Sequence, residues 1–271
     1  MKRCDCLLCK FENPKPCATA VIIENQKLLV AKRAEEPFKG KWDFIGGYVG
    51  KKESPEEALR REIKEELRVD SELNFISAFN GTATYGGFIY PVINFAYLTQ
   101  LKGKVKLNKK ENSKLSWKSI KSLRTISFDS NQKILRHVKE NYLYDLNTVN
   151  KLIKQLDPSA KVNEQSLYKA MLNGYLSKVE KNGKLLGMGW IFPRQTLLRK
   201  QAVIEDMIVD ENQRGKGYGR KILLDLIKWA KKEDVEVVEL TTNPKRIAAN
   251  ELYKSVGFWL HKTNHYLLNL K

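Results

Sequence analysis

The chain has 271 residues, enough for two ordinary domains, and its 42% hydrophobic and 30% charged content is that of a globular protein rather than a disordered one. No apolar run approaches the ~20 residues of a membrane span, and the opening "MKRCDCLLCKFENPKP" lacks the apolar core and small-residue cleavage site of a secretory signal, so a cytoplasmic protein without membrane contact is expected. The net charge of +18 attracts anions in general, but the lysines are dispersed, with no basic tail or aromatic-studded basic strand, and a lysine-rich composition accounts for them better than a nucleic-acid partner does.

All four cysteines, Cys4, Cys6, Cys9 and Cys17, fall in the first 17 residues. In a reducing compartment such clustering reads as metal ligation before disulfide. Four thiolates suit tetrahedral zinc, although C-x-C-x2-C-x7-C is not the paired C-x2-C…C-x2-C of a zinc ribbon. Residues 1–17 are therefore expected to form an arm that either binds zinc or stays reduced and metal-free.

"TAVIIENQKLLVAKR" (19–33) sets two β-rich apolar runs either side of Glu-Asn-Gln, a hairpin pattern. The glycine-punctuated "KGKWDFIGGYVGKKES" (39–54) leads into a helix start, with Ser54 as N-cap, Pro55 at the first helical position and Glu57 completing a capping box. The helix is predicted to run to about Val69, with Ala58, Leu59, Ile63 and Leu67 facing a core. Residues 73–101 are strand-like and aromatic, 103–117 read as a charged loop entering a strand, and 127–143 as a closing helix with Asp129 or Ser130 near its cap.

The patterns restart near 143–146, which sets domains at 18–143 and 144–271. The second domain is predicted to contain helices over 147–156 and 164–172, a hairpin around "VEKNGKLLGMGWIF" and a strand in "AVIEDMIVD" (202–210). The glycine-rich "ENQRGKGYGR" then opens a helix over 217–233, followed by the strand "VEVVELTT", a helix over 246–256 and a final strand, "HYLLNLK".

The first helix carries "RREIKEEL" (60–67), in which Glu62, Glu65 and Glu66 share one face at i, i+3 and i+4. Like charges so placed repel, and a hard divalent cation that takes carboxylate oxygens would cancel the repulsion. E-x-x-E-E alone is a common solvated surface. Here Gly46-Gly47, Glu53 and Arg61 accompany it, and from Gly47 the string G-x5-E-x7-R-E-I-x-E-E resembles the Nudix box of hydrolases that cleave nucleoside diphosphates linked to another group. The resemblance covers most of residues 15–143. It implies an α/β/α sandwich, Mg²⁺ or Mn²⁺ on Glu62, Glu65 and Glu66, and a pairing of Arg61 with Glu53 that orients those ligands. It also implies a nucleoside diphosphate-type substrate. The chain departs from the family pattern at Ile45 (proline there), Gly50 (glutamate), Lys52 (glycine) and Arg68 (glycine). Lys52 either replaces a turn glycine or touches phosphate. Tyr85, Phe88 and Tyr90 either stack a purine or pack in the sheet.

The second motif is Arg214-Gly215-Lys216-Gly217-Tyr218-Gly219, R-x-x-G-x-G at a strand–loop–helix junction, where main-chain N–H groups and the helix dipole favour an anion. It lacks the βαβ start of a dinucleotide fingerprint and the G-K-[ST] of a triphosphate loop. With "IEDMIVD" before it and "NPKRIAANELYKSVGF" after it, the region resembles the GNAT acyltransferases over 146–271, most closely from 184 onward. The resemblance implies a mixed sheet flanked by helices, with acetyl-CoA as cosubstrate. The backbone of Met207, Ile208 and Val209 would pair with the pantetheine arm, residues 214–219 together with Arg220 would hold the pyrophosphate, and Asn250 would contact the cofactor. Tyr253 would protonate the departing thiolate, and Glu205, with Asp206 as rival, would deprotonate an amine acceptor.

The expectation is thus an α/β (α+β) chain with mixed sheets and two catalytic domains, a diphosphate hydrolase and an N-acetyltransferase. The alternative is an acetyltransferase regulated by a nucleotide-sensing, non-catalytic first domain.

Overall fold

The computed structural model describes residues 13–85, 87–108, 112–268 and 270; Cys4, Cys6 and Cys9 lie outside them. The chain divides into two compact units, Met1–Leu146 with Asn163–Leu172, and Asn147–Val162 with Asn173–Lys271.

The first unit opens with β1 (Lys15–Val21), β2 (Ile23–Glu24), β3 (Lys27–Arg33), β4 (Trp42–Asp43) and β5 (Ile45–Tyr48). Helix α1 (Pro55–Leu67), β6 (Asp70–Tyr85), β7 (Phe88–Lys102), β8 (Asn112–Ser119) and α2 (Asp129–Asn141) follow. Helix α3 (Leu146–Leu156) lies in the second unit apart from Leu146, and α4 (Glu164–Leu172) returns to the first. There Glu164 accepts from the Asn25 and Gln26 N–H groups, Lys169 pairs with Glu72, and Tyr168 packs edge-on to Tyr142.

One sheet runs β5-β1-β7-β6, with β1 and β7 parallel and the other pairs antiparallel. The other runs β2-β3-β4, with β8 on β3. The hairpin expected over 19–33 is realised only in part. Ile23–Leu28 and Glu24–Lys27 pair around Asn25-Gln26, whose φ values of 49° and 58° suit a type I′ turn. β1 instead joins β5 and β7, because its fully buried Ala18 and Ala20 belong to the core under α1.

The capping box forms as the sequence requires. Ser54 Oγ accepts from the Glu57 N–H, and Glu57 accepts from the Ser54 N–H at 2.8 Å. Leu59, Ile63 and Leu67 are fully buried against Ala18, Ala20, Leu29 and Ile45, which turns the glutamate arc of α1 toward β5.

The second unit contains β9 (Tyr175–Lys181), β10 (Lys184–Gln195), β11 (Lys200–Val209), α5 (Tyr218–Lys232), β12 (Val237–Leu240) and α6 (Ile247–Ser255). Its sheet runs β12-β11-β10-β9, with β11 and β12 parallel and the rest antiparallel. Asn182-Gly183 turns the β9–β10 hairpin with positive φ at both residues. Ile222, Leu223 and Leu226 of α5 are fully buried against Val179, Ile191, Ala202 and Ile204.

The final strand expected at "HYLLNLK" does not form among the described residues: 258–268 pair with no sheet and 259–268 are exposed. Its apolar composition suits a strand, but a strand also needs a partner edge, and none is paired to it. Among the described residues no helix is long and apolar enough to cross a membrane.

Candidate active sites of the two units

In the first unit, β5 and α1 bring Gly46, Gly47, Glu53, Arg61, Glu62, Glu65 and Glu66 together. The Arg61 guanidinium grips Glu53 with two bonds, Nε at 3.1 Å and a terminal nitrogen at 2.8 Å, and reaches Glu62 at 2.8 Å, Glu65 at 3.2 Å and the Tyr48 carbonyl at 3.2 Å. Glu53 also accepts from the Gly50 N–H at 2.6 Å. Arg61, and then this N–H, hold the Glu53 carboxyl below its usual range, while Glu53 first and Glu62 next raise the guanidinium.

Glu66 is buried; it accepts from the Gly46 N–H at 3.3 Å and from the Asn112 amide on β8. Gly46 is required here, because a Cβ on it would fall 2.1 Å from the Ala18 carbonyl oxygen; one on Gly47 would fall 2.3 Å from Glu62 Oε1 and displace that carboxylate. The β5 main chain therefore lies directly against the carboxylates.

A divalent cation was expected on Glu62, Glu65 and Glu66. The donor set fits one chemically, being carboxylate oxygens alone on a rigid helix beside an approachable backbone. Among the described residues no three acidic, histidine or cysteine side chains stand gathered as a ligand cage; Arg61 balances Glu62 and Glu65 in this arrangement. Cys17, half-buried on β1, has its thiol pushed up to about 12 by burial, which opposes thiolate formation.

Beside β5 opens a cavity of about 350 Å³ lined by Gly46, Gly47 and Glu66 and, deeper in the fold, by Asp43, Asn94 and Asn131. Asp43 accepts from the Phe44 N–H at 3.0 Å, Asn131 at 2.6 Å and Arg33 at 3.3 Å. Burial pushes its carboxyl up to about 7 against the opposing pull of Arg33. The sequence reading missed this network and Asn112. Asp43 was legible only as a lone charge within "KWDFIGG", and Asn131 looked like an ordinary first-turn residue of α2. Tyr90 does not line the cavity, and the side chains of Tyr85 and Phe88 lie outside the described residues.

In the second unit, β11 and β12 pair only over Gln201–Ile204 and Val237–Leu240. Beyond Ile204, β11 carries a bulge opposite Met188–Trp190, with Asp206 at φ 51°. Glu205 and Asp206 therefore sit where the sheet opens. Met207, Ile208 and Val209 continue past the bulge, with Ile208 and Val209 paired to β10 alone. Burial, and then the charge of Asp206, raise the Glu205 carboxyl, whereas His265 lowers it; burial alone raises Asp206.

The loop after β11 is exposed. Gly215 and Gly217 have φ values of 76° and 78°, and Gly217 caps α5 without a side-chain hydrogen bond. The first N–H groups of Tyr218, Gly219 and Arg220 thus head a fifteen-residue helix with no capping side chain in front of them. Arg214 bonds the Val209 carbonyl at 3.2 Å, Lys216 bonds Gln213 at 2.9 Å and Arg220 bonds Ser255 at 3.0 Å. Asn250 spends its amide on the Asn243 and Arg246 carbonyls. Tyr253 is half-buried on α6, edge-on to Phe258, and burial raises its hydroxyl.

A carboxylate helix against a glycine pair, and an anion-ready helix mouth beside a splayed sheet, are the marks of two enzyme classes. Residues 14–139 match the profile of the NUDIX domain, and residues 141–258 match that of the Acetyltransferase (GNAT) family. The chain thus carries a Nudix domain followed by a GNAT acetyltransferase domain.

An ADP-ribose pyrophosphatase of Methanocaldococcus jannaschii is 43% identical over 56 residues, 21% of this chain and 33% of that protein. A UPF0039 protein of Schizosaccharomyces pombe is 32% identical over 85 residues, 31% of this chain and 54% of that protein. The chain therefore spans about a third and about half of these two relatives. A MutT NUDIX hydrolase from Burkholderia pseudomallei superposes on 46% of this chain and 98% of its own, at 24% identity and a TM-score of 0.42. An acetyltransferase from Trypanosoma brucei covers 46% and 93%, at 20% identity and a TM-score of 0.39.

Proposed function

We propose that the protein is a bifunctional enzyme: its first unit hydrolyses a nucleoside diphosphate-linked substrate with Mg²⁺ or Mn²⁺, and its second transfers acetyl from acetyl-CoA to an amine. The observation that carries the first half is that Glu66 and the Gly46–Gly47 main chain line one cavity, with Glu62 against Gly47 and Glu65 tied to Glu62 through Arg61. When bound on Glu62, Glu65 and Glu66, the cation supplies charge neutralisation at phosphoryl oxygens and a more acidic water. The protein's own residues do the positioning. Glu53 fixes Arg61, Arg61 fixes Glu62 and Glu65, and the Gly46 N–H with Asn112 fixes Glu66.

In the second unit the main chain of Met207–Val209 lines up the cosubstrate, and the N–H groups at the start of α5, with Arg214, Lys216 and Arg220, receive its pyrophosphate. The amine nitrogen attacks the acetyl carbonyl carbon and the carbon–sulfur bond breaks. Glu205 at the bulge takes the amine proton and Tyr253 gives one to the thiolate. The raised Glu205 carboxyl makes it a stronger base than an exposed glutamate.

The test assays the purified full chain on a panel of nucleoside diphosphate derivatives with Mn²⁺, and on a panel of amines with acetyl-CoA, reading phosphate-ester products and free thiol. Turnover in both supports the reading. Tight nucleotide binding without hydrolysis would replace the first half with a sensor, and absence of thiol release from every amine would remove the second.

A further inference from the structure

Helix α4 belongs to the first unit by its packing and to the second by its place in the chain. Val162 ends one second-unit segment and Asn173 opens the next, and all of α4 lies within the residues matched by the acetyltransferase profile. Its nine residues are too few to persist as a helix alone in water, where even ~12–15 are marginal. The first unit supplies what holds it. Leu167 and Tyr168 are 6% and 2% exposed, and the Tyr168 ring meets Tyr142 edge-on at 5.5 Å. Glu164 accepts from the Tyr168 hydroxyl at 2.8 Å and from the Asn25 N–H at 2.9 Å, so one carboxylate ties the helix to the β2–β3 turn. Lys169 pairs with Glu72 on β6 at 2.5 Å, and the Gln165 amide donates to Gln100 on β7.

Neither end of α4 has slack. On the N-terminal side, Asn150 of α3 accepts from the Val162 N–H at 2.8 Å and donates to the Val162 carbonyl at 2.9 Å. The very next residue, Asn163, accepts from the Ser166 N–H at 2.8 Å and so caps α4. On the C-terminal side, only Asn173 separates Leu172 from Gly174, where a Cβ would fall 2.2 Å from the Ile191 carbonyl oxygen on β10. Tyr175 then begins β9, with its hydroxyl on Asp225 of α5 at 2.8 Å. An extended chain spans at most ~3.6 Å per residue, so any larger displacement of α4 pulls directly on Val162 and Gly174.

We propose that α4 is a latch with two states, docked as a helix on the first unit or released as a coil, and that its release loosens the start of β9. A released segment reaches about twice as far as the helix, ~3.3 Å per residue against ~1.5 Å, and supplies the slack that the docked chain lacks. An edge strand of the acetyltransferase unit is thereby ordered by contacts made inside the first unit. This coupling holds whichever reactions the two units catalyse.

The experiment is amide hydrogen exchange, read by mass spectrometry, on the full chain as wild type, Glu72→Lys, Lys169→Glu and the double variant. Glu72 lies on β6, so its reversal touches the latch from the first unit alone. Each single variant is expected to speed exchange about 5-fold over Leu167–Leu172 and over Tyr175–Val179, with Ile222–Leu226 of α5 unchanged. The double variant restores an opposite-charge pair and should bring both segments back to within about 2-fold of the wild type. Faster exchange in α4 alone would overturn the latch, as would no change in α4 or an equal rise in α5. Should a variant fail to fold, the wild type in low urea decides. The two segments are expected to open with a common urea dependence, and separate dependences would overturn the proposal.

Discussion

Asp43 is a buried carboxylate in the first unit's cavity, and its charge carries an electrostatic cost. Its carboxyl titrates near 7 because burial outweighs Arg33, Asn131 and the Phe44 N–H. A folded value above the usual 3.8 means the native state holds the proton more tightly than the unfolded chain does. The group therefore costs nothing below pH 4, and its penalty grows as pH rises to about 7 and then stays constant. The full penalty is on the order of a few kcal/mol. Asparagine mimics the protonated form, so Asp43→Asn should melt above the wild type at pH 8, with the difference closing by pH 4. A difference independent of pH would show that the carboxyl is not buried as described.

At the same scale in the second unit, Tyr253→Phe should lower kcat for acetyl transfer by about 100-fold while acetyl-CoA affinity is kept. Undiminished kcat would remove its acid role. Such residues differ in how legible they were. Glu62, Glu65, Glu66 and Tyr253 stand in local strings whose spacing is visible in one dimension. The bonds that join Asp43 to Asn131, Asn131 to Asn94 and Asn112 to Glu66 span 37 to 88 positions, and no local pattern encodes such contacts.

Among the elements, helix α1 shows how far local chemistry reaches. Its start was written in Ser54, Pro55 and Glu57, and its end falls at Arg68, which adopts φ 56° and ψ 35° and bonds the Lys64 carbonyl. A left-handed cap costs a non-glycine residue ~1 kcal/mol, and glycine offsets part of that gain by its freer unfolded state. Arg68→Gly should therefore raise stability by about 0.5 kcal/mol in denaturant titration; a loss would mean the exposed arginine makes compensating contacts.

The Asn182-Gly183 hairpin and helices α2 to α6 were likewise readable from turns and periodicity. Two strand expectations were not met as written: β1 leaves its neighbour for another sheet, and residues 265–268 find no partner. Strand pairing is settled by distant edges, whereas a helix satisfies its own hydrogen bonds.

For the whole molecule, the division into two units follows the two motifs, with one exception. Helix α4 lies inside the sequence range of the acetyltransferase profile but packs with the first unit through Glu164, Tyr168 and Lys169. On the proposed reading each unit has its own means of handling a phosphate anion, one through carboxylates that suit a cation and one through main-chain donors at α5.

The central claim, that the acidic face of α1 runs hydrolysis, is tested most directly by comparing Mn²⁺-dependent cleavage of a nucleoside diphosphate derivative by the wild type and by Glu66→Gln. The account expects cleavage by the wild type and a loss of at least about 100-fold in the variant, with the fold retained by circular dichroism. Equal rates from a folded variant would contradict it.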